Sequence, residues 1–344
     1  LLPKGESFNI QYCISTAATI SLINKDYPTF ADRLQNIPIN NTIAKLLNCV
    51  LPDGDINYMG RGCNQLFGWG PWLFLSSGIN DYYVNISRQY IEDRYPTTVT
   101  NMNLFLNSYK GLYRDLWWDY HYYSVYASHF LMWYELTNKY DDNYKNIPEL
   151  QEKNDSGFDL IRTSEYAIAQ FSGRKHYLIE QGPSIVALWT KRRGSVYKCG
   201  HGPTRDNFGS LYFNPISVYY NHFGLIEIMD KGRLDKYKIV RRIKRKIRIH
   251  EEYYQSVKPI YTNTSINVHD RGIVEIAFLG TEKKEYAFLL PVLNVDAISD
   301  FTLIVDGEKR KFHHLCNTRS QYGECFVFSS AFIKGKTWVL QLKL

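Results

Sequence analysis

The hydrophobic pattern of the chain changes near residue 173, and this change strongly limits the folds that the chain can adopt. Before that point, apolar residues recur at helical spacing in segments joined by short loops. After it, short β-branched and aromatic runs are separated by turn residues about every ten positions. A helical part followed by a strand part is typical of two packed domains rather than of an alternating α/β sheet. We therefore predict an α+β multidomain chain, with an α-helical domain over residues 1–172 and an antiparallel β-sandwich domain over residues 173–344.

Local patterns predict individual elements within both parts. The predicted helices are residues 10–23, 41–50, 63–77, 81–95, 102–117 and 118–140, and residues 138–156 are predicted to be a polar connector. The predicted strands are residues 176–179, 185–189, 217–220, 272–278, 301–305 and 337–342. Asp306-Gly307 is a strong signal for a hairpin turn.

Composition and charge favour an anionic partner. The net charge is +7, and many basic residues fall within residues 233–248, either as a polyanion track or as a solvated edge strand. The 28 Tyr and 7 Trp suit stacking on sugar rings, although an aromatic-rich core explains them equally well. No recognised nucleic-acid module and no apolar stretch of membrane-spanning length occurs, so neither nucleic acid nor a membrane span is expected.

The polar segment at residues 52–65 is the first candidate site. It contains two Asp, two Asn, one Gln, one Tyr and one Arg between glycines and a proline. Arg61 could pair with a carboxylate of a ligand, and the amides could hydrogen-bond to the same group. Tyr58 could then take or give a proton. The alternative is a polar loop whose side chains brace a turn and cap a helix. The candidate binding residues of the segment are Asn57, Arg61, Asn64 and Gln65.

Two further segments carry candidate residues. The predicted helix at residues 117–129 presents Trp118, His121 and Tyr126, which are either site residues or parts of an aromatic core. The Gly- and Pro-containing loop at residues 199–208 carries His201 and Arg205. No metal or other cofactor is expected, because no ligand spacing is diagnostic. A structural divalent metal bound by His201, Asp206 and His222 stays an open alternative.

These features together resemble the heparinase II/III-like and alginate-lyase-like polysaccharide lyases. The resemblance lies in Asp-Gly followed by Tyr58, in the Tyr-His-Tyr-Tyr run around His121, and in the Gly-His-Gly-Pro loop around His201. It implies an incomplete α/α toroid followed by a β-sandwich, and a secreted or periplasmic bacterial enzyme that needs no cofactor. The chain departs from the family in its short helical part and in lacking an Asn-His pair ahead of the Tyr.

The resemblance also implies an activity, which is β-elimination on an acidic, uronate-containing polysaccharide in a cleft between the two domains. By similarity, Tyr58, His121, Tyr126 and His201 are candidates for proton transfer, and Arg61 and Asn64 for binding the uronate. Two alternatives stay open. One is a glycoside hydrolase that uses Asp53 or Asp55 with another carboxylate, and the other is a non-catalytic glycan-binding protein. The sequence leaves the oligomeric state open.

Overall fold

Helices occupy the early part of the chain, and antiparallel strands begin at residue 150. The structure is a computed structural model. It describes residues 10–27, 29, 37, 39–59, 68–79, 81–94, 117–137, 150–154, 158–171, 174–175, 180–181, 183–199, 222–228, 257–260, 264–269, 272–320 and 322–344.

The described α-helices are α1 (Ile10–Asp26), α2 (Ile39–Leu47), α3 (Trp69–Ser77), α4 (Asp81–Arg94) and α5 (Trp117–Leu136). The strands before residue 230 are β1 (Leu150–Asn154), β2 (Phe158–Arg162), β3 (Tyr166–Phe171), β4 (Arg174–Lys175), β5 (Glu180–Gln181), β6 (Ser184–Thr190), β7 (Gly194–Lys198) and β8 (Gly224–Ile228). The later strands are β9 (Val257–Pro259), β10 (Ser265–His269), β11 (Ile273–Leu279), β12 (Glu285–Val292), β13 (Phe301–Val305), β14 (Glu308–Arg310), β15 (His313–Ser320), β16 (Gly323–Ser329), β17 (Ile333–Lys334) and β18 (Thr337–Lys343). A 3-10 helix, Val295–Asp300, precedes β13.

The helices gather around α3. This helix is apolar on nearly all sides, and seven of its nine residues are buried. It packs against α1, α4 and α5, while α2 packs against α1. Gly70 allows the close approach of α5, because a Cβ there would lie 2.9 Å from both the Phe130 carbonyl oxygen and the Trp133 Cβ. The sequence of α3 therefore makes it the centre of the helical part.

The strands form three antiparallel sheets and a two-stranded ribbon, β4-β5, among the described residues. The first sheet has the order β1-β2-β3-β6-β7, and the second has the order β10-β11-β18-β13-β14. The third has the order β15-β16-β12-β8-β9, with β17 also paired to β12. The second and third sheets meet through Phe278 and Phe288, whose rings lie edge to face at 5.0 Å.

One continuous hydrophobic core joins the helices to the first sheet. The Tyr58 ring packs 6.2 Å from the Phe158 ring on β2. Arg162, also on β2 and fully buried, donates from Nη1 to the carbonyl oxygen of Val50 at 2.5 Å. The same atom lies 3.5 Å from the carbonyl oxygen of Leu47, the last residue of α2. A buried cation thus binds carbonyl groups at and just after a helix C-terminus.

Several local predictions are confirmed. The predicted helices at residues 10–23, 41–50, 81–95 and 118–140 correspond to α1, α2, α4 and α5, and the predicted strands at 185–189, 272–278, 301–305 and 337–342 correspond to β6, β11, β13 and β18. Of the predicted helix at 63–77, the structure describes the part that contains α3. The hairpin turn is confirmed by φ values of 49° at Asp306 and 86° at Gly307. Residues 102–116, 176–179 and 217–220 lie outside the described residues.

The predicted fold class, an incomplete α/α toroid followed by a β-sandwich, is wrong. The described residues form three antiparallel sheets, and the first described strand begins at Leu150, within residues assigned to a connector and to the helical domain. The alternation of β2 was hidden because one of its inward positions is Arg162 rather than an apolar residue. The helices pack around α3 instead of following one another in a ring of hairpins.

The predicted domain boundary after residue 172 stays a prediction. Strands of the first sheet lie on both sides of it, since β3 pairs with β6. The expectation of no membrane-spanning helix agrees with the described part of the chain, where no helix is both long and apolar enough to cross a bilayer.

Replacing Arg162 should weaken the contact between α2 and the first sheet. We expect Arg162→Met to lower the free energy of unfolding by about 3 kcal/mol, because the buried Val50 carbonyl loses its charged donor. Arg310→Met is the matched control, since Arg310 is exposed and should change stability by no more than about 0.5 kcal/mol. Urea unfolding of the three proteins measures both effects. Equal midpoints for the two variants would contradict the role of Arg162.

Candidate functional site

A buried lysine lies between two carboxylates where the first sheet meets the helices. Lys198, the last residue of β7, has a side chain that is 0% exposed. Its Nζ lies 2.9 Å from Oδ2 of Asp53 and 2.7 Å from Oδ2 of Asp55. A buried ammonium is costly unless it is paired and hydrogen-bonded, so these contacts are required for it to stay charged. We call Asp53, Asp55, Tyr90, Ser195 and Lys198 the Lys198 cluster.

Asp55 is the enclosed carboxylate of the cluster, with a side chain that is 1% exposed. Its Oδ1 accepts the backbone N–H of Asn57 at 2.7 Å, and its Oδ2 accepts the hydroxyl of Tyr90 at 2.9 Å. Lys198 also donates to Oδ2, which gives the carboxylate three donors in all. Every charged oxygen of this side chain therefore has a partner within the protein, as burial of a carboxylate demands.

Asp53 is the more open carboxylate, with 22% of its side chain exposed. Its Oδ2 accepts the hydroxyl of Ser195 and the ammonium of Lys198, and its Oδ1 accepts the backbone N–H of Asp55 at 3.1 Å. Burial opposes ionisation, but Lys198 and these hydrogen bonds outweigh it and lower the pKa of Asp53 below its ordinary value. Asp53 is therefore an anion at neutral pH.

Gly54 fixes the turn between the two carboxylates. Its φ is +88°, and its N–H donates to the Leu51 carbonyl oxygen at 2.9 Å, which closes a tight turn at Asp53-Gly54. A Cβ at this position would collide with the backbone carbonyl of Ile86 on α4. The Gly54 carbonyl oxygen also accepts the hydroxyl of Ser87 at 2.9 Å. The turn is thus held directly against the backbone of α4.

Two of the predicted site residues are described with their side chains. Tyr58 is fully buried, and its hydroxyl donates to the Cys49 carbonyl oxygen at 2.8 Å. Burial, together with Cys49 and Asp55, raises the pKa of Tyr58 well above its ordinary value. Asn57 is buried as well, and its carbonyl oxygen accepts the hydroxyl of Tyr322 at 3.0 Å. Neither side chain reaches solvent in this arrangement, and their predicted roles stay predictions.

The other predicted site residues are described in part or not at all. Trp118, His121 and Tyr126 lie on α5, which packs against α3. The positions of their side chains are not part of the described structure. The predicted residues that lie outside the described ranges altogether are Arg61, Asn64, Gln65, His201 and Arg205.

The described residues from which the segments with Arg61 and His201 continue lie next to each other. Residues 60–67 follow Met59, and residues 200–221 follow Cys199. The Cys199 thiol lies 3.9 Å from the carbonyl oxygen of Tyr58, and both residues are fully buried. Arg61 is therefore three residues, and His201 two residues, from one shared contact in the core.

Sequence reasoning missed Lys198, Ser195 and Tyr90. The available signal was a lysine that follows Val196 and Tyr197 and precedes Cys199 in a short strand, where an unpaired ammonium would be costly if buried. Its partners lie more than a hundred positions away in the sequence. No local pattern shows such a pairing.

The described residues give no support for a metal site. No group of three His, Cys, Asp or Glu side chains among them could hold an ion. His222, one of the candidate ligands, is buried, and its Nε2 lies 2.8 Å from the Leu225 carbonyl oxygen and donates to it. Burial lowers the pKa of His222 to about 4, although the hydrogen bond to Leu225 opposes this shift. The imidazole is therefore neutral at physiological pH.

Comparisons with known protein families, with curated proteins and with solved structures find no match to this chain. They therefore lend no support to a relationship with the heparinase-like or alginate-lyase-like lyases.

The effect of the close contact between Gly54 and α4 can be measured separately from the strain of a side chain at positive φ. Gly54→Ala and Gly307→Ala both place a side chain at positive φ, +88° and +86°, but only the first also meets a neighbouring backbone. We expect Gly307→Ala to cost about 1 kcal/mol and Gly54→Ala about 3 kcal/mol or more. Thermal and urea unfolding of both variants measures the difference. Equal costs would show that the turn is not pressed against α4.

His222 should make stability depend on pH. Because its pKa is lowered from 6.5 to about 4 in the folded chain, the unfolded chain takes up a proton first as the pH falls. The contribution is fully present above pH 6.5 and is lost between pH 6.5 and about 4, by about 3 kcal/mol. Urea unfolding across this range should show the slope in the wild type and not in His222→Gln. His314→Gln, at an exposed position, should keep it, and an unchanged slope in His222→Gln would contradict the assignment.

Proposed function

We propose that the protein cleaves an acidic, uronate-containing polysaccharide by β-elimination. The observation that carries the proposal is the shared anchor of the two candidate loops at Tyr58 and Cys199. A uronate lyase needs a group that neutralises the carboxylate and a group that removes the neighbouring proton, and these must act on the same sugar. The loop after Met59 carries Arg61 and Asn64, and the loop after Cys199 carries His201.

The described contacts favour His201 over Tyr58 as the proton acceptor of this proposal. The Tyr58 hydroxyl is buried and occupied by the Cys49 carbonyl oxygen, and its pKa is raised. A base with such a high pKa is poorly matched to neutral pH, whereas an ordinary histidine is well matched. Arg61 then serves as the carboxylate partner, because a guanidinium can bind a carboxylate through two parallel hydrogen bonds.

Helix α5 carries the remaining candidate residues. It packs against α3 at Phe130 and Trp133, and α3 begins at Trp69, directly after the loop that carries Arg61. The positions of Trp118, His121 and Tyr126 lie one to three turns before Phe130 on α5. The net charge of +7 adds a long-range attraction for an anionic polymer.

Incubation with alginate, heparin, hyaluronan and pectin tests the proposal, with ultraviolet absorbance reporting the unsaturated product of β-elimination. We expect product from one of these glycans. His201→Ala should lower kcat by about 10²-fold or more, and Arg61→Ala should mainly raise KM.

The matched control is Lys191→Ala, which removes an exposed cation that pairs with Glu165 and should leave the rate unchanged. Absence of the unsaturated product with every glycan would overturn the proposal, and so would product formation that neither Arg61→Ala nor His201→Ala affects.

The two alternatives give different products in the same experiment. A hydrolase would release reducing ends without the unsaturated chromophore, and a binding protein would show saturable binding without turnover. For hydrolysis, Asp53 is the more accessible of the two Asp residues, since Asp55 is enclosed. Its lowered pKa suits a nucleophile rather than a general acid.

A further inference from the structure

The Lys198 cluster places an amine donor and a carboxyl acceptor in contact with very little access to water. Nζ of Lys198 lies 2.7 Å from Oδ2 of Asp55, and the two side chains are 0% and 1% exposed. The rings of Tyr90 and Tyr322 lie 4.6 Å and 5.5 Å from the same Nζ. A second carboxylate, that of Asp53, contacts this nitrogen at 2.9 Å. The cluster therefore holds a nucleophile, an electrophile and a proton acceptor together.

We propose that Lys198 and Asp55 condense with each other to form an intramolecular amide bond, with Asp53 as the proton acceptor. The product is a covalent link between the turn after α2 and the end of β7. This proposal concerns the maturation of the folded chain and does not depend on the glycan-cleaving function.

The reaction balances within the cluster. Asp53 takes one proton from the Lys198 ammonium, and the neutral amine attacks Cγ of Asp55. The new N–C bond forms, and the bond from Cγ to Oδ2 of Asp55 breaks. Oδ2 leaves as water. One proton of this water comes from Asp53, and the other comes from the nitrogen of Lys198. Asp53 ends as a carboxylate, and no oxidant, metal or co-reactant is consumed.

The neighbouring donors are placed to assist these steps. The backbone N–H of Asn57 donates to Oδ1 of Asp55 at 2.7 Å, where negative charge develops when the amine adds to Cγ. The hydroxyl of Tyr90 donates to Oδ2 at 2.9 Å, which is the oxygen that leaves. The hydroxyl of Ser195 donates to Oδ2 of Asp53, the same oxygen that contacts Nζ of Lys198, and so holds the proton acceptor against the amine.

Burial favours the amide over the ion pair. An enclosed ammonium and carboxylate carry a large desolvation cost, and the condensation replaces both with a neutral amide and a released water. Exclusion of water from the closed cluster also slows the reverse hydrolysis. Two other lysines lie as close to a carboxylate but lack this burial. Lys191 and Lys284 lie 2.9 Å from Glu165 and Glu227, but both lysines are exposed and keep their hydration.

The intact mass of the purified, denatured full chain tests the proposal directly. We expect a mass one water lower than the sequence requires. Tryptic digestion should then yield one branched peptide, in which residues 46–61 are joined to residues 194–205 because cleavage after Lys198 is blocked. Fragmentation should place the bond between Lys198 and Asp55.

Variants separate the roles of the two carboxylates. Asp55→Asn should lose one ammonia instead of one water, since the leaving group is then the amide nitrogen. Asp53→Ala and Lys198→Arg should each keep the full mass of their own sequences. Lys284→Arg is the matched control and should still lose one water.

A wild-type mass equal to that of the full sequence, with separate peptides at residues 46–61 and 194–198, would overturn the proposal. This test uses the wild type alone and so does not require that any variant folds. A bond between Lys198 and Asp53 would overturn the assignment of Asp55, and water loss in Asp53→Ala would overturn the role of Asp53.

Discussion

The placement of the helices on the first sheet depends on one buried positive charge. The ammonium of Lys198 binds Asp53 and Asp55 from the turn after α2, and it lies 3.3 Å from the Tyr90 hydroxyl on α4. Two carboxylates and one ammonium leave a net charge of −1, and the hydroxyls of Ser195 and Tyr90 and two backbone N–H groups donate to the carboxylates. Removing any one of the charges would leave the others buried with too few partners. The cluster is therefore a strict geometric constraint, in contrast to the apolar contacts around it, which tolerate small shifts.

A second buried cation completes this constraint. Arg162 on β2 binds the carbonyl groups of Leu47 and Val50, and Lys198 on β7 binds the carboxylates that follow. The two strands lie at different positions of the same sheet. The connection from α2 to Asp55 is thus bound at both of its ends by charged side chains of the first sheet. Gly54 then lets the turn lie directly on the backbone of α4, since no side chain separates them.

The sequence predicts those parts of the molecule that local chemistry determines. Most described helices follow from apolar spacing, and the turns at Asp53-Gly54 and Asp306-Gly307 follow from residues that tolerate positive φ. The prediction of the fold class is wrong because the fold depends on long-range strand pairing and because Arg162 interrupts the apolar pattern of β2. The same limit applies to the candidate site. Tyr58 belongs to a segment with many polar groups, yet it is buried, and its neighbours Asp53 and Asp55 find their cation on a strand that follows far later in the sequence.

The cluster and the two candidate loops are connected through the chain itself. Lys198 directly precedes Cys199, and Asp55 lies three residues before Tyr58, so the cluster sets the distance between the starts of both loops. The ion pair between Lys198 and Asp53 holds only while Asp53 is ionised. The stabilisation by Asp53 is present above its ordinary pKa and is lost as the pH falls through its lowered pKa. An amide between Lys198 and Asp55 has no such dependence, because it is a neutral covalent bond. A covalent link would therefore keep Tyr58 and Cys199 adjacent under acidic conditions that break the ion pair, so the two segments that follow them would still begin at one place in the core.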